Sequence, residues 1–157
     1  MSPRDQHHAP TFSPDQLSQM FATCDLTAPQ GQRDATIMLV LIQTGVRVSE
    51  LCRLRLQDIH ETSLHVAGKG SIERDIEIGQ GVHEQLQFYI HHVREPARPD
   101  EPRVFMNSKD QPLRPRDVSQ IIHEIKKRSG ITDAGLSIHT FRNTFQLLRT
   151  SRGTTNE

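Results

Sequence analysis

Apolar positions along this chain follow a helical period toward both ends and a strand period in the middle. "SPDQLSQMF" (13–21) opens a helix, with Ser13 placed as its cap and Pro14 at the first helical position, where a missing N–H costs nothing. "DLTAPQGQ" (25–32) reads as a loop, and "RDATIMLVLIQT" (33–44) as a helix apolar nearly all round, hence buried, with Gly45 as its stop. A further helix starts near Val48, turns Leu51, Cys52 and Leu54 inward, and fades by Asp58. In "SLHVAGKGSIERDIEIG" (63–79), Leu64 and Val66 alternate with polar neighbours, as do Ile72, Ile76 and Ile78 in part. With "GKGS" as the turn, this predicts a β-hairpin.

Val82, Leu86, Tyr89, Ile90 and Val93 return to helical spacing, and the proline-rich "EPARPDEP" (95–102) connects them to "RVFM" (103–106), a candidate third strand. "PRDVSQIIHEIKKRSG" (115–130) is an amphipathic helix on Val118, Ile121, Ile122 and Ile125, closed by Gly130. The last helix begins within "GLSIHTFRNTFQLL" (135–148), with Ile138, Phe141, Phe145 and Leu148 as its apolar stripe. These elements predict an α+β fold that is mainly α with a small antiparallel sheet: a flexible leader over 1–12 and one domain over 13–157.

Composition narrows the class. A chain of 157 residues is long enough for one real core, and its apolar runs speak against wholesale disorder despite a mean hydropathy of −0.59. The longest apolar run, "TIMLVLIQTG" (36–45), is too short to span a bilayer, and "MSPRDQHHAP" has no apolar signal segment, so no membrane is expected. Two cysteines, Cys24 and Cys52, do not make a disulfide framework, which fits a reducing cytosol. The formal net charge of +0 argues against a non-specific polyanion binder. The charge is uneven, however: residues 94–128 hold nine basic and six acidic side chains, so a neutral total can hide a basic face.

Candidate chemistry lies in three places. Arg47 follows the Gly45 stop and stands at a helix start, where free N–H groups and a planar guanidinium suit phosphate oxygens. Glu50, three residues on, faces the same way and can hold that arginine or another site residue. Lys69 sits between Gly68 and Gly70, which let the backbone approach a ligand. His139 and Arg142 stand three apart, so on a helix they share a face and offer a proton-exchanging group beside a phosphate-binding one. Singly, each has an ordinary reading: a surface ion pair, a solubilising hairpin lysine, a common His-x-x-Arg. Together, two arginines, a lysine and a histidine form a metal-free phosphoryl-transfer set. No carboxylate cluster supports two-metal chemistry, and neither His7–His8 nor His91–His92 completes a tetrahedral set, so no metal or small-molecule cofactor is expected.

"TGVRVSELCRLRLQDI", "VAGKGSIERDIEIG" and "SIHTFRNTF", in this order and spacing, resemble the catalytic domain of tyrosine recombinases, the phage-integrase family, over roughly residues 11–153. The resemblance implies that Arg47 and Arg142 clamp the scissile phosphate of double-stranded DNA. It implies Lys69 as general acid toward the leaving 5′-hydroxyl, His139 as an aid to proton transfer and Glu50 as support. It further implies site-specific recombination or integration, other recombinase subunits as partners, and a bacterial-type, nucleoid-associated cytoplasmic setting. The sequence also departs from the family. The nucleophilic tyrosine expected downstream of His-x-x-Arg, with its preceding "LGH"-like segment, is missing; Tyr89 is the sole tyrosine and lies on the apolar stripe of its helix. Position 143 is Asn where a second His is frequent, position 141 is Phe where Leu is common, and residues 1–12 are too short to be the N-terminal DNA-clamping domain that family members usually carry. The expectation is therefore a C-terminally incomplete catalytic domain, inactive alone, with Phe141 and Phe145 on an exposed apolar patch. The alternatives are a non-catalytic DNA-binding remnant, a regulator of an intact recombinase, or a phosphodiesterase that uses water with His139 and Lys69.

Overall fold

The computed structural model describes residues 9–68, 70 and 72–155, with side chains up to residue 150. Among the described residues, six α-helices, α1 (Pro14–Ala22), α2 (Pro29–Thr44), α3 (Val48–Arg53), α4 (Gln80–His92), α5 (Pro115–Arg128) and α6 (Thr140–Thr155), accompany one hairpin of β1 (Ser63–Val66) and β2 (Arg74–Glu77), which leans on α3. The fold is mainly α with a two-stranded antiparallel sheet. No described helix is long and apolar enough to cross a membrane.

Helix α2 is the axis of the packing. Ile37, Met38, Val40, Leu41 and Ile42 are all buried, and α3, α4 and α6 lean on it. It starts at Pro29, earlier than the loop-like "APQGQ" suggests. Pro29 takes a first-turn position that needs no N–H, and Gly31 tolerates a helix because its Cα faces the Asp25 carbonyl: a Cβ there would lie 1.9 Å from that oxygen. Helix α1 carries the predicted cap, Ser13 Oγ accepting from Gln16 N–H and Gln16 Oε1 accepting from Ser13 N–H.

Three expectations change. The leader expected over 1–12 does not extend through Phe12, which is only 3% exposed and stacks on Phe141 at 4.9 Å. Residues 1–8 lie outside the described residues. Phe12 N–H donates to Thr144 Oγ1 (2.9 Å), and Asn143 Nδ2 donates to the Pro10 carbonyl (3.2 Å), so residues 10–12 strap onto α6. Phe141, expected on an exposed patch, is thereby buried, whereas Leu147 and Leu148 of the same helix are exposed. "RVFM" forms no strand; Arg103 and Met106 make only isolated bridges to Arg55 and Pro112. Its Val104, Phe105 and Met106 are core residues, but Arg94 occupies the carbonyls of Glu101, Arg103 and Val104 that a neighbouring strand would need.

Candidate functional site

The site begins at the corner after α2. Gly45 adopts φ +68, a left-handed conformation that L side chains avoid, and its N–H closes the helix on Leu41. The turn delivers Arg47, exposed, to the cap position of α3. That helix has six residues, so its dipole is slight and the anion preference rests on the arginine itself. Glu50 is fully buried at 0% side-chain exposure. Its Oε1 accepts the Arg47 backbone N–H at 2.9 Å, while its carboxylate is gripped by Arg74, with Nη1–Oε2 at 2.6 Å and Nη2–Oε1 at 3.1 Å. Glu50 thus faces Arg47 as expected, yet its charge partner is an arginine from β2.

The sequence held a signal for Arg74. Strand residues of one parity share a face, and Arg74 has the parity of Ile76 and Ile78 and pairs in register with buried Val66. A guanidinium on the inward side of a strand needs a buried acid.

Arg142 reaches the same corner from the first turn of α6, its Nη1 donating to the Gly45 carbonyl at 2.8 Å. Arg47, Glu50, Arg74 and Arg142 line one cleft of about 470 Å³, together with Gly68 and Gly70 of the hairpin loop. Lys69, between those glycines, lies outside the described residues. His139 does not share this cleft. It stands on a turn before α6, where Ser137 N–H donates to Thr140 Oγ1 and Thr140 N–H to the Ser137 carbonyl, so the helix does not run through it. Exposed there, it lines a separate cavity of about 1000 Å³ with Arg116, His123 and Lys126 of α5.

The charges in the cleft act on one another. Burial, then the Arg47 guanidinium, lowers the pKa of Arg142, with Arg74 adding to the effect and Glu50 opposing it. Burial pushes Glu50 up, but the hydrogen bonds from Arg74 and Arg47 and their charges outweigh it and hold its carboxyl below its ordinary value. A depressed carboxyl stabilises the fold above its unfolded pKa and loses that contribution as pH falls through the lower folded one. Glu50→Gln should therefore flatten the loss of stability on acidification below about pH 4, read by urea unfolding at pH 7 and pH 3; an unchanged difference between the two would contradict it.

On the outer face of the hairpin, His65 pairs with its register partner Asp75 (2.9 Å) and with Glu73 (3.6 Å); the Asp75 hydrogen bond, opposed by burial and helped by Glu73, raises its pKa above 6.5. Its NMR titration midpoint should fall in Asp75→Asn. A midpoint that stayed in place would break the assignment.

Tyr89 is a core residue: it is 2% exposed, its hydroxyl accepts the Met106 N–H at 3.2 Å, and its ring lies 5.2 Å from Phe105. Burial lifts the thiols of Cys24 and Cys52 to about 11 and about 12, which leaves them unreactive. Among the described residues, no three His, Cys, Asp or Glu side chains gather as a metal ion requires.

Comparison with known proteins gives this geometry a lineage. Residues 10–150 match the phage integrase family. The chain belongs to that family. Integrase-family relatives include the tyrosine recombinase XerC of Anoxybacillus flavithermus, 34% identical over 150 residues, covering 91% of this chain and 50% of the relative. XerC of Bacillus licheniformis is 36% identical over 152 residues, covering 91% and 49%. The chain thus spans about half the length of these curated relatives. Among solved structures, XerA recombinase superposes with a TM-score of 0.74 at 24% identity, covering 96% of this chain and 55% of that one. The lambda integrase catalytic core gives 0.73 at 18%, covering 90% and 84%. These likenesses establish the tyrosine recombinase catalytic-domain fold for an integrase-family chain whose cleft carries three arginines.

Proposed function

We propose that this chain is the phosphate-holding part of a recombinase acting on double-stranded DNA in site-specific recombination or integration. The observation that carries the reading is the convergence of Arg47 and Arg142 on one cleft, joined through the backbone of Gly45. Arg47 and Arg142 hold the scissile diester and offset the negative charge that builds on phosphorus during transfer. Glu50 fixes the backbone of Arg47. In this reading Lys69 protonates the leaving 5′-hydroxyl, whereas His139, which lines a separate cavity, takes no part at this cleft. The relatives supply support for the partner: XerH recombinase is known in complex with its difH substrate, and lambda integrase bound to DNA. Other recombinase subunits and a cytoplasmic, nucleoid-associated setting belong to the same reading.

Duplex binding tests it. The 157-residue chain should bind a 30-bp duplex of arbitrary sequence with an affinity that falls as salt rises. Arg142→Ala should weaken binding about tenfold and reduce the salt slope by about one. A wild-type affinity insensitive to salt, or an Arg142→Ala variant that binds like wild type, sinks the proposal.

The burial of Tyr89 supports a narrower statement about these residues alone. As the chain's single tyrosine is locked in the core, it does not attack DNA. The 157 residues hold the phosphate and do not cut, which is how a non-catalytic DNA-binding regulator of an intact recombinase would also behave. A nicked suicide duplex should yield no covalent adduct; one band of cross-linked protein and DNA on a denaturing gel overturns this.

A further inference from the structure

A buried carboxylate among phosphate-binding arginines poses a problem. Glu50 has no exposed side-chain surface, and its charge acts on the guanidiniums of both Arg47 and Arg142. Left without a dedicated cation, such a carboxylate captures the nearest one, because an unpaired buried charge is far more costly than a paired one. The nearest candidates are the two residues needed for DNA. Among the described residues, however, neither Arg47 nor Arg142 forms an ion pair. Arg142 spends one nitrogen on the Gly45 carbonyl, and the exposed guanidinium of Arg47 faces the cleft. The cation that satisfies Glu50 is Arg74, through two hydrogen bonds at 2.6 and 3.1 Å.

We infer that Arg74 is a positioning residue of the phosphate site: by occupying Glu50 with a two-bond fork, it keeps Arg47 and Arg142 available to the DNA diester. The inference rests on the proposed phosphate-holding role of those two arginines. Three features carry it. The fork consumes both oxygens of Glu50, and Oε1 is shared with the Arg47 N–H, so the same carboxylate that fixes the backbone of Arg47 is kept off its side chain. Arg74 comes from β2, so the pairing also fastens the hairpin to α3. The charge count fits the chemistry as well. Among the described residues the cleft is lined by three arginines and one carboxylate, an excess of positive charge suited to a phosphorus centre that gains negative charge during transfer.

A double-mutant cycle decides the matter, read by fluorescence anisotropy of the whole chain on a 30-bp duplex at a temperature where melts show every variant folded. Arg74→Met frees Glu50 to take a clamp arginine. Affinity should fall about tenfold and the salt slope should drop by about one. Arg74→Met combined with Glu50→Gln removes the competing charge while keeping an acceptor for the Arg47 N–H, and should recover most of both losses. A merely structural pairing leaves the salt slope of fully folded protein unchanged, and a direct contact between Arg74 and phosphate gives no recovery in the double variant; either result overturns the inference. Should Arg74→Met fail to fold, Arg74→Lys serves in its place. It keeps the charge but loses the fork, so a loss of about threefold, relieved by Glu50→Gln, is expected. Arg142→Ala separates this inference from the reading beneath it. If that variant weakens binding while Arg74→Met does not, only the role of Arg74 fails; if Arg142→Ala binds like wild type, both fall together.

Discussion

Gly45→Ala is expected to destabilise the protein by about 2–4 kcal/mol and lower its melting temperature by roughly 5–15 °C. Two costs combine. At φ +68 any residue with a Cβ carries about 1–2 kcal/mol of strain. The new methyl would also lie 2.2 Å from Cδ2 of the Phe145 ring, so the ring must swing away, at the roughly 1–3 kcal/mol typical of overpacking. The effect does not stop at stability. The Gly45 carbonyl receives the Arg142 guanidinium, so shifting this corner moves a phosphate-holding group and should weaken duplex binding in the variant that remains folded. Adding Phe145→Ala should return the overpacking share of the cost and leave the strain share. Thermal melts of the two single variants and the double variant separate the shares; a melting temperature within 2 °C of wild type for Gly45→Ala would refute the account.

Phe12→Ala should cost about 3–5 kcal/mol, a loss typical of a buried aromatic, because Phe12 is 3% exposed and packs on the wholly enclosed Phe141. The consequence is directional. Residues 10–12 hold α6 through the ring, the Phe12 N–H on Thr144 and the Asn143 amide on Pro10, while α6 holds Arg142. Removing the ring should raise amide exchange along the first turns of α6 more than along α4. Uniform exchange across both helices would show that the strap has no special hold on the site helix. This also gives Asn143 a role: its amide ties the preceding segment to the site helix.

Much of the fold was legible because local rules and burial agreed. Ser13 and Pro14 marked the start of α1, Gly45 and Gly130 ended α2 and α5 with positive φ, and period-two alternation marked the hairpin. Reading failed where tertiary contacts decided. Gly31 looks like a loop residue until the Asp25 carbonyl is seen against it, and "RVFM" looks like a strand until Arg94 takes its carbonyls. Phe12 reads as leader because one aromatic in a polar stretch has no period to place it. In the candidate site, the order of motifs pointed to Arg47, Glu50 and Arg142, which the fold gathers in one cleft. The pairing of Glu50 with Arg74 spans two distant elements and shows in the sequence only as a cation on the inward parity of a strand. His139 fell outside the shared helix face because Ser137 and Thr140 close a turn on one another, a competition between side chain and backbone that spacing alone does not reveal.

The enclosure of Tyr89 has an optical consequence. With one tyrosine and no tryptophan, the near-ultraviolet absorption and emission of this protein are dominated by a single chromophore, set between Phe105 and the Met106 amide. That chromophore borders the space near Arg33 and Asn107, apart from the cleft that holds Arg47 and Arg142. Tyrosine emission therefore follows the integrity of the core, and a loss of protein fluorescence on heating or in urea reports the interior and not the cleft.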